Sequence, residues 1–144
     1  MKRILTAAAL IVLASFVIHA QQTPTEAIGD VKTTSAYSML VLRKVAVEAE
    51  LKVALESYTS EHPSVQLKQF ELDALNREME KIAETAEANW PKLTSGYGTL
   101  ILKKVKLESE MQALLLEYTA DYPDVKLKEV ELNLIEHEIA KITR

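Results

Sequence analysis

The sequence contains no cysteine. That absence excludes disulfides, thiolate metal sites, a cysteine nucleophile and a lipid-modified N-terminal cysteine, so oxidising surroundings pose no hazard. Glycine and proline are scarce, at three and four in 144 residues. So few turn formers argue against an all-β fold and favour long uninterrupted helices. Histidine is equally rare: His19, His62 and His137. None has a ligand-type residue three or four positions away, so the spacing templates of metal sites are missing. There is no Gly-rich phosphate loop, no Gly-x-Ser-x-Gly elbow and no serine–histidine–acid set. The Glu-x-x-His pairs of a two-metal carboxylate bundle are absent too. No enzyme, cofactor or metal is expected.

What is present begins with an apolar leader. Lys2 and Arg3 precede an almost wholly apolar run from Leu5 to Ile18, and Ala20 is a small residue before Gln21-Gln22-Thr23. This is the pattern of a secretory signal peptide over residues 1–20, the run being short for a membrane span. Ile18 and His19 make the cleavage motif imperfect, and an uncleaved N-terminal anchor is the alternative. The expected location is periplasmic or secreted, without membrane insertion after cleavage. Loss of Lys2 and Arg3 would take the net charge from −4 to −6. An acidic protein has no broad electrostatic affinity for nucleic acid or anionic lipid, so neither is expected as a partner. Residues 21–31, with Thr23-Pro24-Thr25, read as a short flexible leader.

The rest of the chain is one pattern written twice. At a shift of 60, Lys32 to Glu84 lies over Lys92 to Arg144 without a gap, and 22 of the 53 pairs are identical. Chance would give about three. Residues 32–90 and 91–144 are therefore two repeats, each with two helical patterns separated by a proline. Tyr37, Leu40, Val47, Leu51, Ala54 and Tyr58 recur at helical spacing, as do Tyr97, Leu100, Leu107, Met111, Leu114 and Tyr118. Lys44 and Lys104 occupy the skipped positions, where their stems could cover the seam while the amines reach water. Leu100-Ile101-Leu102 and Leu114-Leu115-Leu116 widen the stripe, so these helices should be touched from more than one side.

The second helix of each repeat carries a narrower stripe: Leu72, Leu75, Met79 and Ile82, matched by Leu132, Ile135, Ile139 and Ile142. Glu71, Arg77, Glu78 and Lys81 fall on its other faces. With Glu48, Glu50, Glu108, Glu110, Glu131 and Glu138 they read as solvated charge interleaved with lysine. Pro63 and Pro123 suit a first helical turn, and Ser64 and Asp124 follow in that turn or at its cap. Thr34 or Ser35 and Thr94 or Ser95 are cap candidates for the first and third helices. Breaks this short make the paired helices antiparallel. A single hairpin of about 50 residues seldom has core enough to outweigh its ordering entropy. The fold class expected is therefore all-α, an up-down-up-down four-helix bundle with helices of roughly 20 to 25 residues. Two separate hairpins that each pair with another chain are the alternative. Trp90 reads as a plug at the junction between hairpins, and the tyrosines as bundle-end residues.

The turn Tyr58-Thr59-x-Glu61-His62-Pro63-x-Val65-x-Leu67-Lys68, followed by Glu71-Leu72 and Leu75, resembles a stretch of the polysaccharide co-polymerases, the chain-length determinant family. Tyr118-Thr119-x-Asp121-Tyr122-Pro123-Asp124-Val125-x-Leu127-Lys128 is similar, as is the preceding Leu42-Arg43-Lys44-Val45 with Glu48-Ala49-Glu50-Leu51. In that family the segment links antiparallel periplasmic coiled-coil helices that help set polymer length or connect the inner membrane to the export apparatus. The likeness covers both hairpins but implies neither that family's membrane helices nor its α/β domain and kinase region. It implies a periplasmic hairpin that pairs with similar hairpins. The function expected is a non-enzymatic interaction or structural role in the cell envelope, through self-association or a helical protein partner. Leu100, Ile101 and Leu115 are the surface expected to make the contact. A small chaperone-like bundle with a hydrophobic groove is the competing class.

Overall fold

The computed structural model describes residues 29–143; the signal peptide expected at residues 1–20 and the expected leader through residue 28 lie outside them. Four α-helices make up most of that span: α1 Ser35–Ser57, α2 Pro63–Ala83, α3 Ser95–Leu115 and α4 Pro123–Thr143. Two short 3-10 helices, Val31–Thr33 and Glu87–Lys92, precede α1 and join the hairpins. The class is all-α, as the periodicity implied.

Local chemistry sets the helix starts. Thr34 and Thr94 accept hydrogen bonds from the Tyr37 and Tyr97 amides at 3.3 and 3.4 Å, satisfying one free donor in each first turn. Proline opens α2 and α4, where its missing N–H costs nothing. At α2 the cap is His62 rather than Ser64: Nδ1 of His62 accepts from the Ser64 amide at 3.2 Å. The His62 ring also stacks on Tyr58, with centroids 4.0 Å apart. Tyr122 replaces the cap in the second repeat and stacks on Tyr118 at 4.1 Å. Stacking, rather than capping, is what the two turns share. His62→Ala should therefore lower stability by about 1 kcal/mol, the usual value of an N-cap, in urea unfolding. A loss several times larger would mean that His62 has a role beyond this cap.

Cross-helix ion pairs establish the direction of each helix. Lys68 of α2 pairs with Glu50 of α1, and the equivalent Lys128 of α4 meets Glu110 of α3 at 2.8 Å. Arg77 of α2 meets Glu108 of α3 at 3.3 Å. A second pair in each contact lies the opposite way along the partner helix: Arg43–Glu71 for α1 and α2, Lys104–Glu78 for α3 and α2, and Lys104–Glu136 for α3 and α4. Neighbours in sequence are thus antiparallel, and α1 and α3 run parallel, in an up-down-up-down arrangement. The two parallel helices cross closely at Gly98. A Cβ there would lie 2.9 Å from the Ala36 Cα and 3.1 Å from the Met39 sulfur, so only glycine permits the approach.

The two hairpins are not equally covered. Helices α1, α2 and α3 pack on one another, whereas α4 packs on α3 and the linker and has at most marginal contact with α1 and α2. The core lies among the first three helices and both 3-10 segments: Leu40, Val47, Leu75, Ile82, Leu93, Ile101 and Val105 are enclosed. Val31, placed by composition at the end of the leader, is buried with them. In α4 only Val125 is buried, and Leu132, Ile135, Ile139 and Ile142 are half-buried. Trp90 packs against the core and donates from its indole N–H to the Thr85 carbonyl at 2.9 Å, which suits a plug between hairpins.

Candidate functional site

Burial of charge is the first departure from the expected solvated faces. Glu71 and Glu78 of α2 and Lys104 of α3 are all buried. The Lys104 amine does not reach water along the seam. It lies 3.0 Å from Glu78, 3.1 Å from Glu136 and 3.7 Å from Glu108, so it ties α2, α3 and α4 together. Glu78 also receives Lys81 at 2.8 Å. Burial would raise the Glu78 pKa, but hydrogen bonds from Lys81 and Lys104 outweigh it and hold the carboxyl below its ordinary range. Burial would likewise lower the Lys104 pKa, but its carboxylate partners, Glu78 foremost, push it above the usual lysine range. Both groups stay charged and paired near neutrality, which suits a structural pin and leaves no poised acid or base. Glu71 is held by Arg43, whose Nε donates at 2.8 Å, and by Lys68 at 3.5 Å.

A groove of about 670 Å³ opens between the first hairpin and α3, towards the turns. Leu67, Leu102, Val105 and Ala113 supply its apolar lining, and Arg43, Lys68, Glu71, Lys106 and Glu110 its charges. The hydroxyl of Ser109 is enclosed here without a hydrogen-bond partner.

Uncovered apolar residues form two stripes. On α1, Leu42, Val45 and Val53 are exposed at helical spacing; on α4, Leu127, Val130 and Leu134 are. Among the described residues, neither stripe faces another helix. These residues, not the three expected ones, present the larger apolar surface. Ile101 is 1% exposed and belongs to the core between hairpins, Leu100 is half-buried, and Leu115 alone is exposed. The three do not form one external surface: the Leu100-Ile101-Leu102 part of the wide stripe of α3 packs inside the chain, while Leu115 and Leu116 at its far end are exposed. Apolar periodicity alone did not separate α1 from α3; the signal that does is Gly98, which stands where α1 has Ser38.

Among the described residues, no three potential metal ligands converge, and no helix is long and apolar enough to cross a membrane. His137 is exposed on α4. Comparison with family models, curated proteins and solved structures finds no match for the chain.

Proposed function

We propose that the chain is an exported, non-enzymatic interaction protein of the cell envelope that works by pairing helices with another protein, beside a polysaccharide assembly machine. The observation that carries the interaction role is the pair of uncovered apolar stripes on α1 and α4. Leu42 is 73% exposed and Leu134 63%, and with Val45, Val53, Leu127 and Val130 they run along two helices as apolar surface that nothing among the described residues covers. Export rests on the signal pattern at residues 1–20. The link to polysaccharide rests on the likeness of both turns to the co-polymerase hairpin.

A photo-crosslinking residue at Val53 or Leu134, introduced in cells, should capture one discrete protein species. Deletion of the gene should change the amount or length of surface polysaccharide. Unchanged polysaccharide would remove that link, and a smear of unfolded clients in place of a discrete product would remove the pairing role. The groove between the first hairpin and α3 favours a second reading, a chaperone-like module that holds an apolar segment. In that case a hydrophobic dye should bind the native protein, and Leu102→Glu should abolish its binding.

A further inference from the structure

The two repeats meet through a specific contact, and both of its halves occur a second time with nothing among the described residues covering them. Inside the chain, α3 faces the first hairpin with Gly98, Leu102, Val105 and Ala113, the first three packed on it and Ala113 in the wall of the groove beside it. Sixty positions earlier, α1 presents Ser38, Leu42, Val45 and Val53 on the corresponding face, and all four are exposed. The receiving side repeats in the same way. Leu67 and Ala74 of α2 lie in the groove wall and in the core. Their equivalents on α4, Leu127 and Leu134, are exposed.

We propose that a second copy of this chain docks head to tail, its α1 seated on the α3–α4 hairpin of the first as α3 is seated on α1–α2. This rests on the interaction role proposed above and names both the partner and the faces. Three features single out a copy of the chain as the occupant. The first is continuity: the docked α1 would extend an interface already formed within the molecule, as stacked repeats do.

The second is charge. Lys104 is satisfied by Glu78 across the internal contact, while the corresponding Lys44 and Glu138 make only local pairs, with Glu48 at 3.8 Å and Lys141 at 2.7 Å. Docking brings Lys44 of the incoming copy to Glu138. His137 and Glu48 then take the places of Arg77 and Glu108, which pair at 3.3 Å inside the chain.

The third is the placement of glycine. Gly96 sits within α3, exposed, with no positive φ, and a Cβ there would meet nothing nearer than the Thr94 hydroxyl oxygen at 3.6 Å. Gly96 stands in the first turn of α3, and nothing among the described residues requires glycine there. At the internal crossing Gly98 lies against Ala36; in the docked pair Ser38 lies against Gly96. Each crossing thus has one glycine, which leaves room for the side chain opposite. The two faces differ, so each added copy leaves one of each kind free, and the assembly either extends or closes as a ring.

Sedimentation velocity of the purified protein, from low micromolar to near-millimolar, should show mass rising beyond a dimer. Val45→Glu and Leu134→Glu change exposed residues on opposite faces, so each should keep the wild-type helical melt while weakening association at least about tenfold. Mixed in equal amounts, the two should form a discrete one-to-one dimer, because each retains the face the other has lost. Gly96→Leu should also keep the melt and weaken association. A wild type that stays monomeric throughout would overturn the proposal. So would a mixture that yields no mixed dimer while either variant alone still associates with itself, the behaviour of a two-fold interface. A monomeric protein that still gives one discrete envelope crosslink would end head-to-tail docking and leave the broader interaction role standing.

Discussion

Leu75→Ala should lower the unfolding free energy by about 2–5 kcal/mol, and Ile135→Ala, the equivalent change in the second hairpin, by only about 1–2 kcal/mol. Leu75 is fully enclosed, at 0% exposure, so its truncation removes apolar contact and leaves a cavity inside the α1–α2–α3 core. Ile135 is half-buried on α4, and water can enter the space that its missing atoms would leave, which removes most of the cavity penalty. Urea unfolding at low protein concentration, where no second chain covers α4, measures both. Equal losses would mean that α4 is enclosed as fully as α2, and the uncovered face on which both proposals depend would not exist.

Lys104→Ala should cost about 3 kcal/mol, near the lower end for a broken buried ion pair, because Lys81 remains at 2.8 Å to neutralise Glu78. Lys44→Ala, its repeat equivalent, should cost less than about 1 kcal/mol, since that side chain is 32% exposed and meets Glu48 at 3.8 Å. The pH dependence follows from the two shifts. The folded Glu78 pKa lies below its ordinary 4.5, so its stabilisation is complete above that value and fades as pH falls through the lowered pKa. The folded Lys104 pKa lies above its ordinary 10.5, so its contribution is complete below that value and fades only as pH rises through the raised one. Stability lost in Lys104→Ala should therefore be greatest between those two ordinary values and shrink at both extremes. Glu78→Gln should make the acid limb shallower. An undiminished effect of Lys104→Ala at acid pH would show that the lysine acts by packing its stem rather than by pairing its charge.

Much of the helical plan was legible because it depends on neighbours in sequence. Threonine before each long run, proline at the head of α2 and α4, and apolar residues at helical spacing all act within a turn or two of themselves. The cap at His62 was not legible, because an imidazole resembles a cap only when its ring is turned to the next amide. Glu78 and Lys104 were misplaced for a related reason. Charged residues on a helix normally face water, and these are buried only because carboxylates and amines from three helices meet at one point. Their partners lie 26 to 32 residues away from Lys104 in the chain.

By itself the sequence determined four helices, their pairing into two antiparallel hairpins and the 60-residue repeat, since each of these follows from local spacing or from self-comparison. Its apolar periodicity could not decide which of two equivalent helices would be covered. Val45 and Val105 stand at the same position of the repeat, yet one is 58% exposed and the other 1%. Only the tertiary structure separates them: a two-repeat array has a single internal junction, and that junction consumes one docking face from each repeat. The matching faces at its two ends, on α1 and on α4, are covered by nothing among the described residues.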